Sequence, residues 1–292
     1  MKTKLFKVGL AVALLAMLAA YALSGCTFDL KNAGSMASGN TKGFSQSVDM
    51  QGKYDEIRAE MDMFSANVSI DDTGSKLVDG NFKYSSEKLK PEFKVNGNSI
   101  EIKNERTDQK LIKPVNHWSV KLTDKAPVDF GITAAASQGR FDLSDIAVKN
   151  FELEADASSI KLYKDNPNVC ELKRLDITTN AGDYELNGLG NMDFSRVDID
   201  SKASRYMVDL SGEYKRDGVV RLKADASTMK LRVPDNVGVR IIVEKTNIST
   251  IIVENKDIVK YSSDGYQSRD YDGSDIKLTI YLDLNVTTVN II

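Results

Sequence analysis

One short phrase is written four times between residues 151 and 231, and its spacing limits what the chain can become. The copies begin at Leu153, Ile177, Ile199 and Leu222, so they are 24, 22 and 23 residues apart. A fixed period of this size is the mark of a solenoid, in which each repeat buries its apolar face only by stacking on the next. Numbered from the alanine in each copy, position −4 is aliphatic (Leu153, Ile177, Ile199, Leu222) and position −2 is small (Ala155, Thr179, Ser201, Ala224). Position 0 is Ala157, Ala181, Ala203 and Ala226, and positions +3 and +5 are large and apolar, as in Ile160 with Leu162 and Tyr184 with Leu186.

Side chains alternate faces along a strand, so the even steps up to the alanine read as inward-facing. The step from 0 to +3 is odd, and one residue must be spent in a corner. The small residues Ser158, Gly182, Ser204 and Ser227 are expected there. Stacked at about 4.8 Å, roughly six or seven coils would form a rod of about 30 Å.

The rest of the chain fits the same class. No segment beyond the N-terminal leader sustains a helical apolar pattern, so the fold is read as all-β: a single-domain β-solenoid, parallel β-helix-like, with an N-terminal hairpin region. The hairpin is signalled by Asn96-Gly97-Asn98 between two alternating runs. Residues 128–143 read as a coil with one extra residue before its second strand. Val239 to Val243 with Ile251 to Val253 read as a less regular coil, and Leu282, Val286, Val289 and Ile291 as a final copy.

The N-terminus differs from everything after it. Lys2, Lys4 and Lys7 precede an apolar run from Val8 to Leu23, followed by Leu23-Ser24-Gly25-Cys26. This pattern is that of a secretory leader, and its last four residues resemble the lipobox of bacterial lipoproteins. The resemblance implies cleavage before Cys26 and lipidation of its thiol. The expected organisation is a signal peptide over 1–25, a lipidated Cys26 with a Gly- and Ser-rich flexible linker over 26–50, and the β-repeat domain over 51–292. Removal of the leader would leave 36 basic residues against 42 acidic ones. That balance argues against nucleic acid and against adsorption to anionic lipid.

Several constellations invite a chemical reading. Asp183 and Glu185 form a carboxylate pair of the kind glycosidases use. Stacking would set Glu185 beside Lys161 and Asp183 beside Arg205, which reads instead as a solvated sheet face holding register. Asp156, Asn180, Lys202, Asp225 and Asn285 form a polar column at position −1, read as turn formers beside the corner. Residues 270–275 have acidic spacing reminiscent of calcium loops but lack the full ligand order. His117 is the sole histidine and cannot build a zinc site with Trp118, which reads as a core aromatic. Cys170 reads as a buried, inert thiol. No nucleotide-binding loop or nucleophile elbow is present. Catalytic, cofactor and metal residues are therefore expected to be absent, leaving Cys26 as the site residue.

Residues 116–122, 126–130 and 141–146, with Thr179-Asn180-Ala181-Gly182-Asp183-Tyr184 and the closing stretch 266–292, resemble the bacterial toast-rack envelope family. The resemblance covers roughly residues 54–292. It implies a repetitive all-β domain on cell-envelope proteins, some of them regulators of the response to cell-wall-active antibiotics. Related β-helical families include candidate adhesins, and the family carries no established catalytic residues. The function expected is that of a lipid-anchored protein on the extracytoplasmic face of the bacterial membrane, with a non-catalytic domain for binding, adhesion or scaffolding. Its expected partners are the membrane, through Cys26, and an envelope protein or cell-wall glycan. The alternatives are an accessory regulator of an envelope-stress sensor and a polysaccharide-active β-helix enzyme. Attention falls on the irregular stretches 104–118 and 262–275.

Overall fold

Repetition becomes geometry through parallel pairing. The computed structural model describes residues 41–72, 74–106 and 115–292, all within the unit Asn40–Ile292. The expected signal peptide, Cys26 and the first part of the expected linker lie outside the described residues. The strands in chain order are β1 (Lys42–Asp49), β2 (Ile57–Phe64), β3 (Asn67–Asp72), β4 (Lys76–Tyr84), β5 (Glu92–Asn96), β6 (Ser99–Lys103) and β7 (Asn116–Leu122). They continue as β8 (Val128–Ala135), β9 (Gln138–Asp142), β10 (Val148–Tyr163), β11 (Arg174–Asn187), β12 (Arg196–Asp209), β13 (Gly218–Asp225) and β14 (Thr228–Arg232). The last six are β15 (Gly238–Asn247), β16 (Thr250–Val253), β17 (Ile258–Ser262), β18 (Gly265–Ser268), β19 (Lys277–Asn285) and β20 (Thr288–Ile291). Among the described residues no helix is long and apolar enough to cross a membrane.

The fold is an all-β, solenoid-like stack. Its rungs lie in the order β6/β7, β2/β3, β8/β9, β10, β11, β12, β13/β14, β19/β20, β15/β16, every neighbour parallel. The described residues thus make nine rungs, or about 40 Å at β spacing, where six or seven were expected. One rung is hard to see in the sequence because it is split between β6 and β7. The final copy, β19/β20, comes last in the chain but slots between β13/β14 and β15/β16. The N-terminal end shows the same device, since β2/β3 sits between β6/β7 and β8/β9.

Register turns the repeat into columns. Leu153, Ile177, Ile199, Leu222 and Leu282 stand directly over one another, as do Leu162, Leu186, Val208, Leu231 and Ile291. All are buried, and each such side chain contributes about 1.5–3 kcal/mol of hydrophobic free energy. A third wall is built by the connections between rungs, which bury Leu143, Ile146, Leu172, Leu189, Met192 and Leu210.

The corner lies one residue earlier than expected. The residues with left-handed backbone are Ala136, Ala157, Ala181, Ala203 and Ala226, joined by Ser65, Ile248 and Val286 in the other rungs. A residue in this conformation breaks the alternation itself. Position 0 therefore points outward, and the next residue turns inward: Ser158, Ser204 and Ser227 are buried while Ala157 and Ala226 are exposed. The β8/β9 rung has no extra residue. Gly139 occupies the +3 slot beside Ile160, where a Cβ would meet the Phe141 ring and Ile160 Cδ1 at 2.7–2.8 Å.

Strand β1 corrects the linker expectation, since it lies within residues 26–50. Its Gly and Ser content hides an alternation of Phe44, Gln46 and Val48. Phe44 lies opposite Phe82 and Val48 opposite Val78 on antiparallel β4, and the Phe44 and Phe82 rings stack at 4.8 Å. The Asn96-Gly97 hairpin forms as expected, with β5 antiparallel to β6 and Gly97 at φ +59°.

Candidate functional site

The corner column is where polar chemistry is most concentrated. Each hydroxyl at position +1 donates to the carbonyl two residues back: Ser137 to Ala135 at 2.9 Å, Ser158 to Asp156 at 2.8 Å, Ser204 to Lys202 at 2.8 Å, Ser227 to Asp225 at 2.9 Å and Thr287 to Asn285 at 2.9 Å. The hydroxyls of Ser137, Ser158, Ser227 and Thr287 also accept from the corner amide of the preceding rung, and that of Ser249 does the same one rung on. Ala66 donates to Ser137, Ser137 to Ser158, Ser204 to Ser227, Ser227 to Thr287 and Thr287 to Ser249, over 3.1–3.4 Å. These are buried amides that the turn removes from the sheet ladder, and the hydroxyls satisfy them.

The column breaks at Gly182, where the Tyr184 hydroxyl takes over. A backbone hydrogen bond joins it to Ser158, and burial pushes its pKa up to about 12. A Cβ on Gly182 would lie 2.1 Å from the Ser158 carbonyl oxygen and 2.7 Å from the Tyr184 hydroxyl. Tyr184 stacks on Tyr206 at 5.0 Å, and the Tyr206 hydroxyl pairs with Thr179 at 2.7 Å. Burial also raises the Tyr206 pKa. At the first rung β6 and β7 are separate strands, and Asn104 and Asn116 lie where they end and begin again. There the Asn104 side chain accepts from the Phe64 amide and donates to its carbonyl, both at 2.9 Å. Asn116 donates to the same carbonyl at 3.2 Å and accepts from the Trp118 indole at 2.7 Å. Residues 107–114 of the expected loop lie outside the described residues.

Every constellation singled out in the sequence can now be placed. Glu185 pairs with Lys161 at 2.7 Å and Asp183 with Arg205 at 3.5 Å, the cross-rung partners expected from stacking. The hydrogen bond to Glu185 raises the Lys161 pKa. In the −1 column Asn180 donates to Asp156 at 3.1 Å and Asn285 to Asp225 at 2.6 Å, beside the corner, with Asn285 half-buried and the other three exposed. The acidic stretch 270–275 contains a short 3-10 turn, Tyr271–Gly273, with the Arg240 guanidinium 3.9 Å from the Tyr271 ring centre. Among the described residues no three His, Cys, Asp or Glu side chains gather as metal ligands would. His117 lies on β7, where partial desolvation of its ring, with Lys83 nearby, lowers its pKa; Trp118 is buried against Phe82. Cys170 is half-buried, and desolvation raises its pKa.

The sequence reading missed Lys164. It is buried, and its ammonium donates to the carbonyls of Leu143 (3.0 Å), Ser144 (3.1 Å) and Ile146 (2.9 Å). Burial pulls its pKa down to about 8. A lysine just after a strand gives no sequence signal of this duty. Two grooves mark the surface. One, of about 460 Å³, runs along the outer face of the first strands and is crossed by Lys223–Asp200 at 2.8 Å and Arg221–Glu244 at 3.7 Å. The other, of about 1160 Å³, lies at the N-terminal cap between Phe44, Tyr84, Phe93, Lys90, Lys103 and Arg106.

Residues 37–169 match the N-terminal domain of toast_rack. No curated protein matches the chain in sequence. Among solved structures, a candidate cell adhesion protein from Clostridium sporogenes is 17% identical over 86% of this chain and 98% of that one, with a TM-score of 0.45. A candidate adhesin from Bacteroides fragilis is 8% identical over 89% and 100%, with a TM-score of 0.38. Another from Parabacteroides merdae is 11% identical over 87% and 98%, with a TM-score of 0.34. Residues 37–169 are thus similar to the N-terminal domain of toast_rack, and the same rung geometry continues from there as far as β20.

Proposed function

We propose that this protein is a lipid-anchored component of the bacterial cell envelope whose β-repeat domain binds a partner and performs no catalysis. The observation that carries the reading is the pairing of the outward carboxylates. Asp183 and Glu185, the pair with catalytic spacing, are each matched to a base on the neighbouring rung. A retaining or inverting carboxylate pair works because the two groups differ in protonation, through burial or mutual repulsion. Exposed groups neutralised across rungs support a register-holding role instead. The leader and Cys26 supply the anchor in this reading. Two or more acyl chains hold a protein to a membrane where one binds only marginally. The partner is an envelope protein or a cell-wall glycan, on the extracytoplasmic face.

Labelling of growing cells with a palmitate analogue tests the anchor. Wild-type protein should take up label and sediment with membranes, and Cys26→Ala should do neither. An unlabelled wild type would contradict the anchor. Loss of a polysaccharide-cleaving activity in Asp183→Asn with Glu185→Gln would contradict the non-catalytic reading.

A further inference from the structure

The two ends of the stack are finished differently. At the N-terminal end β4 and β5 run antiparallel over β7 and β6, and β1 is added outside β4. At the C-terminal end the hairpin β17–β18 covers β15 only at Arg240, Ile241 and Ile242. Strand β16 bonds β20 on one edge, and its other edge meets no strand among the described residues. The amides of Thr250 and Glu254 donate to β20-side carbonyls at 2.9 and 2.8 Å. Backbone groups alternate sides along a strand, so those of Ile251 and Val253 point out of the stack.

This edge has the composition that natural proteins avoid exposing. The other open edges carry charge: Lys42 and Asp49 on β1, Glu92 and Lys94 on β5, Lys260 on β17. Strand β16 reads Thr-Ile-Ile-Val. The exposed large apolar side chains of the described residues point to the same place. Ile248 (90% exposed), Ile252 (44%), Tyr261 (44%) and Val286 (40%) all lie on the last two rungs and their hairpin, and Val169 is the exception. Such clustering marks an interaction surface.

We propose that β16 pairs antiparallel with β16 of a second copy of this chain, across a two-fold axis at Ile252. Register selects this occupant. Side chains directly opposite must share a face, so inward Ile251 must meet inward Val253 of the second copy, and Val253 its Ile251. Those are the residues whose backbone groups point outward. Each pair exchanges both hydrogen bonds, four in all. The two Ile252 side chains then meet in a non-hydrogen-bonded pair, and Thr250 lies opposite Glu254, so no like charges face each other. Head-to-tail stacking would instead set β16 against a charged antiparallel edge. Like end to like end closes the assembly at two copies. The pairing is independent of the lipid anchor.

The test uses the full chain with Cys26 and Cys170 both changed to Ser, in detergent. Ile252→Cys should form a covalent dimer on mild oxidation, since its two copies stand within disulfide reach. Thr250→Cys should stay monomeric, because its two copies lie about 13 Å apart along the strand. Adding Val253→Pro to Ile252→Cys removes an amide that no strand of this chain accepts. It should abolish the cross-link and leave the thermal unfolding midpoint in place. Absence of the Ile252→Cys dimer, equal cross-linking at position 250, or cross-linking to a different protein in a membrane extract would overturn the proposal.

Discussion

The amide of Ser204 donates to the hydroxyl of Ser227 one rung away at 3.2 Å, and that hydroxyl donates to the Asp225 carbonyl at 2.9 Å. Both serines are buried. Ser227→Ala therefore orphans the buried Ser204 amide and should cost about 1–3 kcal/mol, read as a lower urea midpoint with unchanged slope. A change below about 0.3 kcal/mol, within the scatter of surface substitutions, would contradict the corner assignment.

Ile248 is a β-branched residue held at φ +50° and almost fully exposed. Left-handed backbone costs such a residue roughly 1–3 kcal/mol, and glycine has no such penalty although it loses more entropy on folding. Ile248→Gly should raise the unfolding free energy by about 1 kcal/mol, whereas Gly182→Ser, which looks like a return to the repeat, should lower it. Gly182 has the Ser158 carbonyl oxygen and the Tyr184 hydroxyl in the space a side chain would need. Thermal melts of the two variants check the opposite signs.

Lys164 makes stability depend on alkaline pH. Its folded pKa of about 8 lies below the ordinary value of 10.5. Between those values the unfolded chain keeps a proton that the folded chain has released, so unfolding free energy rises with pH across that window. Lys164→Met should unfold more easily than wild type at pH 7, because three carbonyls lose their donor. It should also lack this component of the rise, so the difference between wild type and variant should widen from pH 7 to pH 10 in urea titrations.

The C-terminal strands are an inner rung although they come last in the chain. Deleting residues 277–292 removes the partner of β13/β14 and of β15/β16 at once. Circular dichroism should show loss of cooperative unfolding, whereas replacing the hairpin 258–268 with a short Gly-Ser link should leave a cooperative transition.

Much of this was legible in the sequence, for a physical reason. Large apolar side chains can be buried only in columns, so the +3 and +5 positions and the cross-rung partners of Glu185 and Asp183 follow from spacing alone. The corner was displaced by one residue because alanine carries no mark of left-handed backbone, which glycine or asparagine would have signalled. Strand β1 was hidden because Gly43 and the serines dilute its apolar positions. The rung order toward the two ends was not legible, where β2/β3 and β19/β20 leave chain order. Parallel neighbours need only matching length and pattern, and β19/β20 pairs with both flanking rungs, with one register shift on the β15 side. Lys164 was invisible because its partners are backbone carbonyls, which leave no trace in residue type.

The molecule divides into regular faces that hold register and a final rung proposed to make contact. Maleimide labelling of single cysteines in the membrane-bound chain, against the same chain purified and dilute, separates the two most directly. Cysteine at position 183 should label equally in both settings, since losing an exposed ion pair costs little. Cysteine at position 252 should be protected in the membrane and reactive on dilution. Protection at 183 with free labelling at 252 would contradict the account.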